Sequence, residues 1–402
     1  MNSNPSKLPA LRIALISGGL PCGGSTTFLC NFAAGLAQRK IPVEVFSFEK
    51  DNPLATDFSR SNVPVFAPDE RRLIFEDRLR AVLEELRRFQ PAVVLANLGA
   101  LSYEALRYLP PGIFRAGICH TDHDREYTLV RHYAPHLDLL AAVSRHIKQK
   151  VDAMPECSGL PARYLPLGVF VPSEAGVARV EPNRPLRILY LGRLDGEQKR
   201  AHLFPRIFEQ LKASGIPFHW TIAGDGPEKS ALERVMQSAP GQTVSFAGQI
   251  PHARVPELLS AQDVFLLVSD YEGLPLSLLE AMGAGIVPIV SQLPSGIPEV
   301  VDAGNGMLVP VDDLDGYARA IIHLHGHRDE LAAKSAAAHE RVKMEFSVEA
   351  MTDRWLAAFP ATKGDIAPWP RHWRIQAPLT AGNSAFFSRP VRMLRRLTVK
   401  FR

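Results

Sequence analysis

The sequence predicts an α/β protein of two doubly wound domains, each a parallel sheet with helices on both faces. Three observations support this. Short apolar runs of strand length alternate with helical stretches from Leu11 onward, the signature of strands joined by helical crossovers. The chain has 402 residues, more than one hydrophobic core usually serves. Residues 172–185 carry Pro, Gly and charge without periodicity and read as a linker between two such series. A first domain is therefore expected over residues 1–178 and a second over 179–345.

Composition narrows the class. Apolar residues make up 46% and charged residues 22%, the balance of an ordinary globular protein. No run approaches the roughly 20 apolar residues of a membrane span. Residues 1–9 are polar and lead straight into a strand, without the apolar region and small-residue cleavage site of a signal peptide, so a cytoplasmic location is expected. Cys22, Cys30, Cys119 and Cys157 show neither a C-x-x-C pair nor metal-ligand spacing and read as free thiols. Net charge is +4, yet the end of the chain from Pro370 holds eight Arg and Lys and no acid. The remainder is thus net acidic, with a basic end.

In the first half, residues 11–16 form the expected opening strand, followed by Ser17-Gly18-Gly19-Leu20-Pro21-Cys22-Gly23-Gly24-Ser25-Thr26 and a helix through Phe28, Leu29, Phe32 and Leu36. Gly23 and Gly24 let backbone approach a ligand at the mouth of the sheet, and Ser25 or Thr26 is suited to cap the helix. The dinucleotide pattern G-x-G-x-x-G is absent. A helix over 71–89 places Phe75, Leu79, Val82, Leu83 and Leu86 on one face. Strands are expected at 92–96 and 115–119. The second runs into His120-Thr121-Asp122-His123-Asp124, a polar cluster at a strand's carboxyl end, where such sheets bind ligands. Adjacent residues on an irregular turn point in different directions, which disfavours a metal site here. A strand over 137–143 then leads to Ser144, a helix cap.

The second series opens with a strand over 186–191 and the loop Gly192-Arg193-Leu194-Asp195-Gly196-Glu197-Gln198-Lys199. An Arg and a Lys on one strand-tip loop are what a diphosphate leaving group needs: a forked pair of donors and a mobile point charge. Strands follow at 218–223 and 243–250, with the turn Gly224-Asp225-Gly226-Pro227 between them. An apolar run over 263–268 leads into Ser269-Asp270-Tyr271-Glu272-Gly273-Leu274-Pro275-Leu276-Ser277-Leu278-Leu279-Glu280. Gly273 permits an unusual backbone conformation and Pro275 suits the first helical position, so unpaired N–H groups should face a phosphate there. Beside a phosphate, Glu272 and Glu280 make better acceptors for sugar hydroxyls, which points to a nucleotide sugar.

Glu272 and Glu280, with seven residues between them in EGLPLSLLEAMGAG, and Arg193 and Lys199 in a G-R-x5-K pattern resemble the retaining glycosyltransferases of family four. That family has the two-domain GT-B architecture, two Rossmann-like domains facing a central cleft. The resemblance spans residues 11–359 and is most specific over 192–310. It implies that Arg193 and Lys199 stabilise the donor diphosphate, that Glu272 orients the donor sugar, that Glu280 holds the ribose, and that His120 contacts the sugar from the first domain. It further implies that Gly23, Gly24, Gly192, Gly273 and Leu274 lie along the nucleotide sugar and that Ile250 holds the base through its backbone. Leu167 stands where family members frequently have Asn, so that side chain's role is lost. Residues 346–368 resemble the closing helix that crosses back to the first domain.

The implied reaction moves a sugar from a UDP- or GDP-sugar to a glycan or lipid-linked acceptor in cell-surface polysaccharide or glycolipid synthesis. The expected product is an α-linkage, by a front-face route with no covalent carboxylate nucleophile, no cofactor and no metal. The alternative is a non-catalytic sugar-nucleotide-binding partner in a glycan assembly complex; the paired motifs disfavour an epimerase or phosphorylase. The basic tail, residues 369–402, lies outside the resemblance. Over 390–402, Val391, Met393, Leu394, Leu397 and Phe401 take one half of a helical wheel and Arg392, Arg395, Arg396, Lys400 and Arg402 the other. Such a helix can lie peripherally at an anionic membrane surface, with Phe386 and Phe387 adding anchorage, or pack on the protein's own body. No nucleic-acid motif accompanies Trp369 and Trp373.

Overall fold

Among the described residues, every strand lies in one of two all-parallel sheets. The computed structural model describes residues 11–49, 58, 61–68, 74–173, 184–237, 242–360 and 366–376. They fall into two compact units: Met1–Val143, Ile147–Leu165 and Thr352–Arg402 make the first, Ser144–His146 and Pro166–Met351 the second.

The first unit's sheet contains β1 (Ile13–Ser17), β2 (Val43–Ser47), β3 (Val65–Phe66), β4 (Val93–Ala96), β5 (Phe114–Cys119), β6 (Leu139–Ala142) and β7 (Ala162–Tyr164), in the order β3-β2-β1-β4-β5-β6-β7. Every residue of β1, β4 and β6 is buried, as both-face coverage by crossover helices requires. Those helices are α1 (Gly24–Gln38), α2 (Phe75–Phe89), α3 (Ala100–Leu106), α4 (Asp124–Tyr133) and α5 (Arg145–Asp152). On α2 the expected stripe is inward: Leu79, Val82, Leu83 and Leu86 are buried and Phe75 packs at the margin of the core. The helix begins at Phe75, and residues 71–73 of the longer expected span lie outside the described residues.

The start of α1 corrects one expectation. Neither Ser25 nor Thr26 caps it: the cap residue is Gly23, at φ 155°, with no side-chain cap hydrogen bond. Glycine tolerates that entry angle, so the helix starts before the hydroxyl residues and absorbs them into its first turn.

The second unit's sheet contains β8 (Leu186–Leu191), β9 (Phe218–Ala223), β10 (Gln242–Gly248), β11 (Val264–Leu267), β12 (Val287–Gln292) and β13 (Met307–Pro310), in the order β10-β9-β8-β11-β12-β13. Around it lie α6 (Phe204–Ser214), α7 (Lys229–Val235), α8 (Val255–Leu259), α9 (Leu276–Gly283), α10 (Ile297–Val300), α11 (Leu314–Gly326) and α12 (Arg328–Glu345). The Asp263 carboxylate, buried ahead of β11, accepts both arms of the Arg184 guanidinium fork and the N–H of Arg187 at 2.9 Å. This ties the start of β8 to that of β11.

A last helix, α13 (Val348–Ala358), enters the first unit at Thr352. There Trp355 packs 5.2 Å from the rings of both Phe28 and Phe32, and Asp353 pairs with Arg39 at 2.7 Å. Beyond it, Trp373 and Ile375 are buried in the first unit's core beside Trp369 and Ile366. The Trp373 indole donates to the Tyr108 carbonyl at 3.3 Å. The stretch 366–376 is therefore anchored on the first unit's core through Trp373 and Ile375, with Ile366 and Trp369 packed against it, while its basic residues stay exposed. The amphipathic stretch 390–402, with Phe386 and Phe387, lies outside the described residues.

Candidate active site

Each sheet reverses its strand order once, between β1 and β4 in the first unit and between β8 and β11 in the second. Loops leaving the carboxyl ends of such a strand pair diverge to opposite faces and open a crevice, the usual ligand seat of a doubly wound sheet. Gly23, Gly24, Gly192, Arg193, Lys199, Glu272, Gly273 and Leu274 lie at these two switch points, whereas His120 follows β5, Ile250 follows β10 and Glu280 lies within α9.

In the second unit, the loop after β8 carries Arg193 and Lys199 and the loop after β11 carries Glu272. The Asp270 N–H donates to the Gln198 carbonyl at 2.9 Å, drawing the two loops together. Lys199 Nζ makes an ion pair with Glu272 Oε1, which also accepts from Ser269 Oγ at 2.8 Å, while Gln198 Nε2 donates to Glu272 Oε2 at 3.4 Å. The Glu272 carboxylate is buried at 5% exposure, so this pairing offsets a desolvation cost neither partner would bear alone. Asp195 organises the cationic side. It accepts from Arg193 Nε at 2.6 Å, from the Gln198 N–H at 2.7 Å and from the Lys199 N–H at 3.1 Å. Burial raises the Asp195 carboxyl, but Arg193 and the two N–H groups outweigh it and hold it below its ordinary value. Arg193 stays 63% exposed, and one terminal nitrogen donates to Gln198 Oε1 at 3.4 Å.

Glycines let these strand ends close up. Gly192 donates to the Ala223 carbonyl at 3.0 Å and Gly224 to the Gly248 carbonyl at 2.7 Å. A Cβ on Gly224, at φ +143°, would collide with the Gly192 carbonyl. Gly273 behaves otherwise than expected. It is not among the positive-φ residues, and its carbonyl accepts from the Gly296 N–H at 2.5 Å. The position intolerant of a side chain is Gly296, where a Cβ would lie 2.7 Å from the Gly273 carbonyl. The tight approach is made by the facing loop, which the local sequence does not disclose. Leu274 is buried, and Pro275 is the cap residue of α9 rather than its first helical residue.

Glu280, on α9, stands apart from the Lys199–Glu272 pair. His252 Nε2 lies 3.8 Å from its carboxylate, and burial raises the Glu280 carboxyl to about 7. Ile250, half-buried, lies two residues before His252.

In the first unit, Gly23 and Gly24 open α1, and His120 follows β5. Asn97, at the end of β4, joins them: its Nδ2 donates to the Ser25 carbonyl at 3.3 Å and its Oδ1 meets His120 Nε2 at 2.6 Å. Phe28 contacts the imidazole edge-on at 5.7 Å, and burial lowers its pKa to about 4. The backbone N–H of His120 donates to Glu126 at 3.2 Å. His123 caps α4 by accepting from the Arg125 N–H at 3.1 Å, while Asp122 is bonded to Tyr127 and Lys150. Sequence reading singled out neither Asn97 nor His252; the signal for Asn97 was a polar residue closing an apolar strand.

Comparison with known proteins agrees with this arrangement. The profile of Glycosyltransferase Family 4 matches residues 22–186, and that of Glycosyl transferases group 1 matches residues 185–327. The chain is 29% identical over 334 residues to the putative colanic acid biosynthesis glycosyltransferase WcaL of Salmonella typhimurium, covering 77% of this chain and 79% of that one. With the WcaL of Escherichia coli it shares 30% identity over 281 residues, covering 64% and 68%. Among solved structures, Staphylococcus aureus TarM, in complex with Fondaparinux, α-GlcNAc-glycerol and UDP, superimposes with a TM-score of 0.72 at 12% identity, covering 86% of this chain and 99% of that one. Sucrose-phosphate synthase of Thermosynechococcus elongatus gives 0.68 at 18% identity, covering 87% and 98%.

Two doubly wound sheets with this strand order, and these structural neighbours, define the GT-B fold, and the family profiles and WcaL relatives define a glycosyltransferase. The chain belongs to glycosyltransferase family four. Among the described residues, no helix is long and apolar enough to cross a membrane.

Proposed function

We propose that this protein transfers a hexosyl group from a UDP- or GDP-sugar to a glycan or lipid-linked acceptor, with retention of configuration and formation of an α-linkage. The observation that carries the reading is the convergence of Arg193, Lys199 and Glu272 at the switch point of the second sheet. Breaking a sugar–phosphate bond builds negative charge on the leaving diphosphate. Preorganised donors facing that charge contribute roughly 3 kcal/mol each. Arg193, held by Asp195 through Nε and 63% exposed, offers Nη1 to one phosphate and can turn Nη2 to it from Gln198. Lys199, paired with Glu272, can turn from carboxylate to phosphate as the donor enters and leave Glu272 to accept from sugar hydroxyls. Glu280 takes the ribose hydroxyls. The two cations supply the neutralisation for which a metal would otherwise be recruited. The WcaL relatives, named for colanic acid biosynthesis, favour a cell-surface polysaccharide or glycolipid as product, made at the inner face of the cytoplasmic membrane.

The test is a panel of nucleotide sugars, read as nucleoside diphosphate released by wild type, Glu272→Ala and Arg193→Ala, with and without EDTA. One donor turned over by wild type and by neither variant, unaffected by EDTA, supports the reading. Tight binding of one donor without turnover, even with acceptor extracts, would instead identify a sugar-nucleotide-binding subunit. The anomeric configuration of the product, read by NMR, decides retention.

A further inference from the structure

We propose that Asn97 is a positioning residue: held by the Ser25 carbonyl, it locks His120 as the Nε2–H tautomer and so presents the Nδ1 lone pair to a hydroxyl of a bound sugar. The proposal rests on the functional reading above and on the contact of His120 with the donor sugar that the family resemblance implies, and adds how the imidazole is prepared for it.

Chemistry assigns the protons. The Ser25 carbonyl can only accept, so the Asn97 atom 3.3 Å from it must be the amide nitrogen. That choice turns Oδ1 toward His120. An amide oxygen can only accept, so His120 Nε2, at 2.6 Å, carries the hydrogen. In a neutral imidazole the other nitrogen is then a bare acceptor. The ring stays neutral because its enclosure by Asn97 and Phe28 disfavours the imidazolium. The groups able to alter that charge are Glu126 on α4, which accepts from the His120 backbone N–H, and Asp122 in the same loop, which Tyr127 and Lys150 hold. The facing residue from α1, Phe28, does not titrate. Among the described residues, Nδ1 has no hydrogen-bond partner.

The arrangement depends on topology. Asn97 ends β4 and Ser25 sits in the first turn of α1, which follows β1, the strand beside β4. One amide thereby spans the switch point and anchors a residue from the next strand, β5.

The first measurement is long-range 1H–15N correlation NMR of the imidazoles in the free, full-length protein, with His120 assigned by its absence in His120→Gln. A protonated Nε2 and a bare Nδ1 in wild type are expected. A protonated Nδ1 would overturn the proposal, and this arm is decided even if no donor is ever turned over. The second is the pH dependence of kcat/KM. In Asn97→Asp a carboxylate faces Nε2–H, stabilises the imidazolium and raises its pKa. Activity should then fall more steeply than in wild type as pH drops through neutrality, wild type keeping only the dependence that Glu280 brings. Asn97→Ala should lower kcat/KM by about tenfold, the loss of one oriented hydrogen bond, and populate both tautomers. If Asn97→Asp keeps the wild-type pH profile, Asn97 does not position His120 for the reaction, whatever the donor panel shows.

Discussion

The carboxyl of Glu280 gives the folded second unit a pH dependence that a single substitution should erase. Its ordinary value is 4.5, and burial raises it to about 7. A carboxyl raised on folding stabilises the native state while protonated, so its contribution is complete below pH 4.5 and is lost as pH rises through 7. That shift corresponds to about 3 kcal/mol at pH 8. Glu280→Gln keeps the shape and cannot ionise. Its stability relative to wild type should therefore grow by about 3 kcal/mol between pH 4.5 and pH 8. Comparing variant with wild type at each pH cancels the titrations that do not couple to Glu280. The assay is urea unfolding at both pH values, followed through Trp220, which is buried in β9. Protonated His252, 3.8 Å away, would favour the ionised carboxylate and shrink the effect, so the comparison is repeated on a His252→Asn background. The same difference between variant and wild type at both pH values would refute the reasoning. If Glu280 also holds ribose, the stabilised variant should bind donor about tenfold more weakly, the loss of one charge-assisted hydrogen bond.

Three other outcomes are expected. Arg193→Ala should lower kcat about 10²- to 10³-fold in the nucleoside diphosphate release assay, with a far smaller change in KM, since its donors face charge that develops only as the bond breaks. Arg184→Met leaves the Asp263 carboxylate buried and unforked and should cost about 3–5 kcal/mol in urea unfolding; adding Asp263→Asn should recover part of that loss. Trp373→Ala opens a hole in the first unit's core and should cost about 3–5 kcal/mol in the same assay, with donor binding by the second unit retained.

Much of the fold was written locally. Strands such as β4 and β11 are runs of apolar residues, and α2 carries its buried stripe at helical spacing. Their type depends on neighbours within a turn or two, so the sequence alone determined it. The Arg193/Lys199 and Glu272/Glu280 patterns could be picked out for the same reason: each is a pair of residue types at short fixed spacing. What the sequence could not determine was who meets whom. Lys199 and Glu272 are 73 residues apart, and Asn97 reaches back 72 residues to Ser25. Those meetings exist because β8 lies beside β11, and β1 beside β4, an order set by helix crossovers and sheet packing. The expectation of a strained Gly273 failed similarly, since the close approach belongs to Gly296 on a facing loop. So did the reading of Trp373 as part of a basic tail: its neighbours in sequence are basic, but its neighbours in space are the first unit's core. The raised carboxyl of Glu280 and the tautomer of His120 come last, since burial and partner geometry are properties of the packed chain.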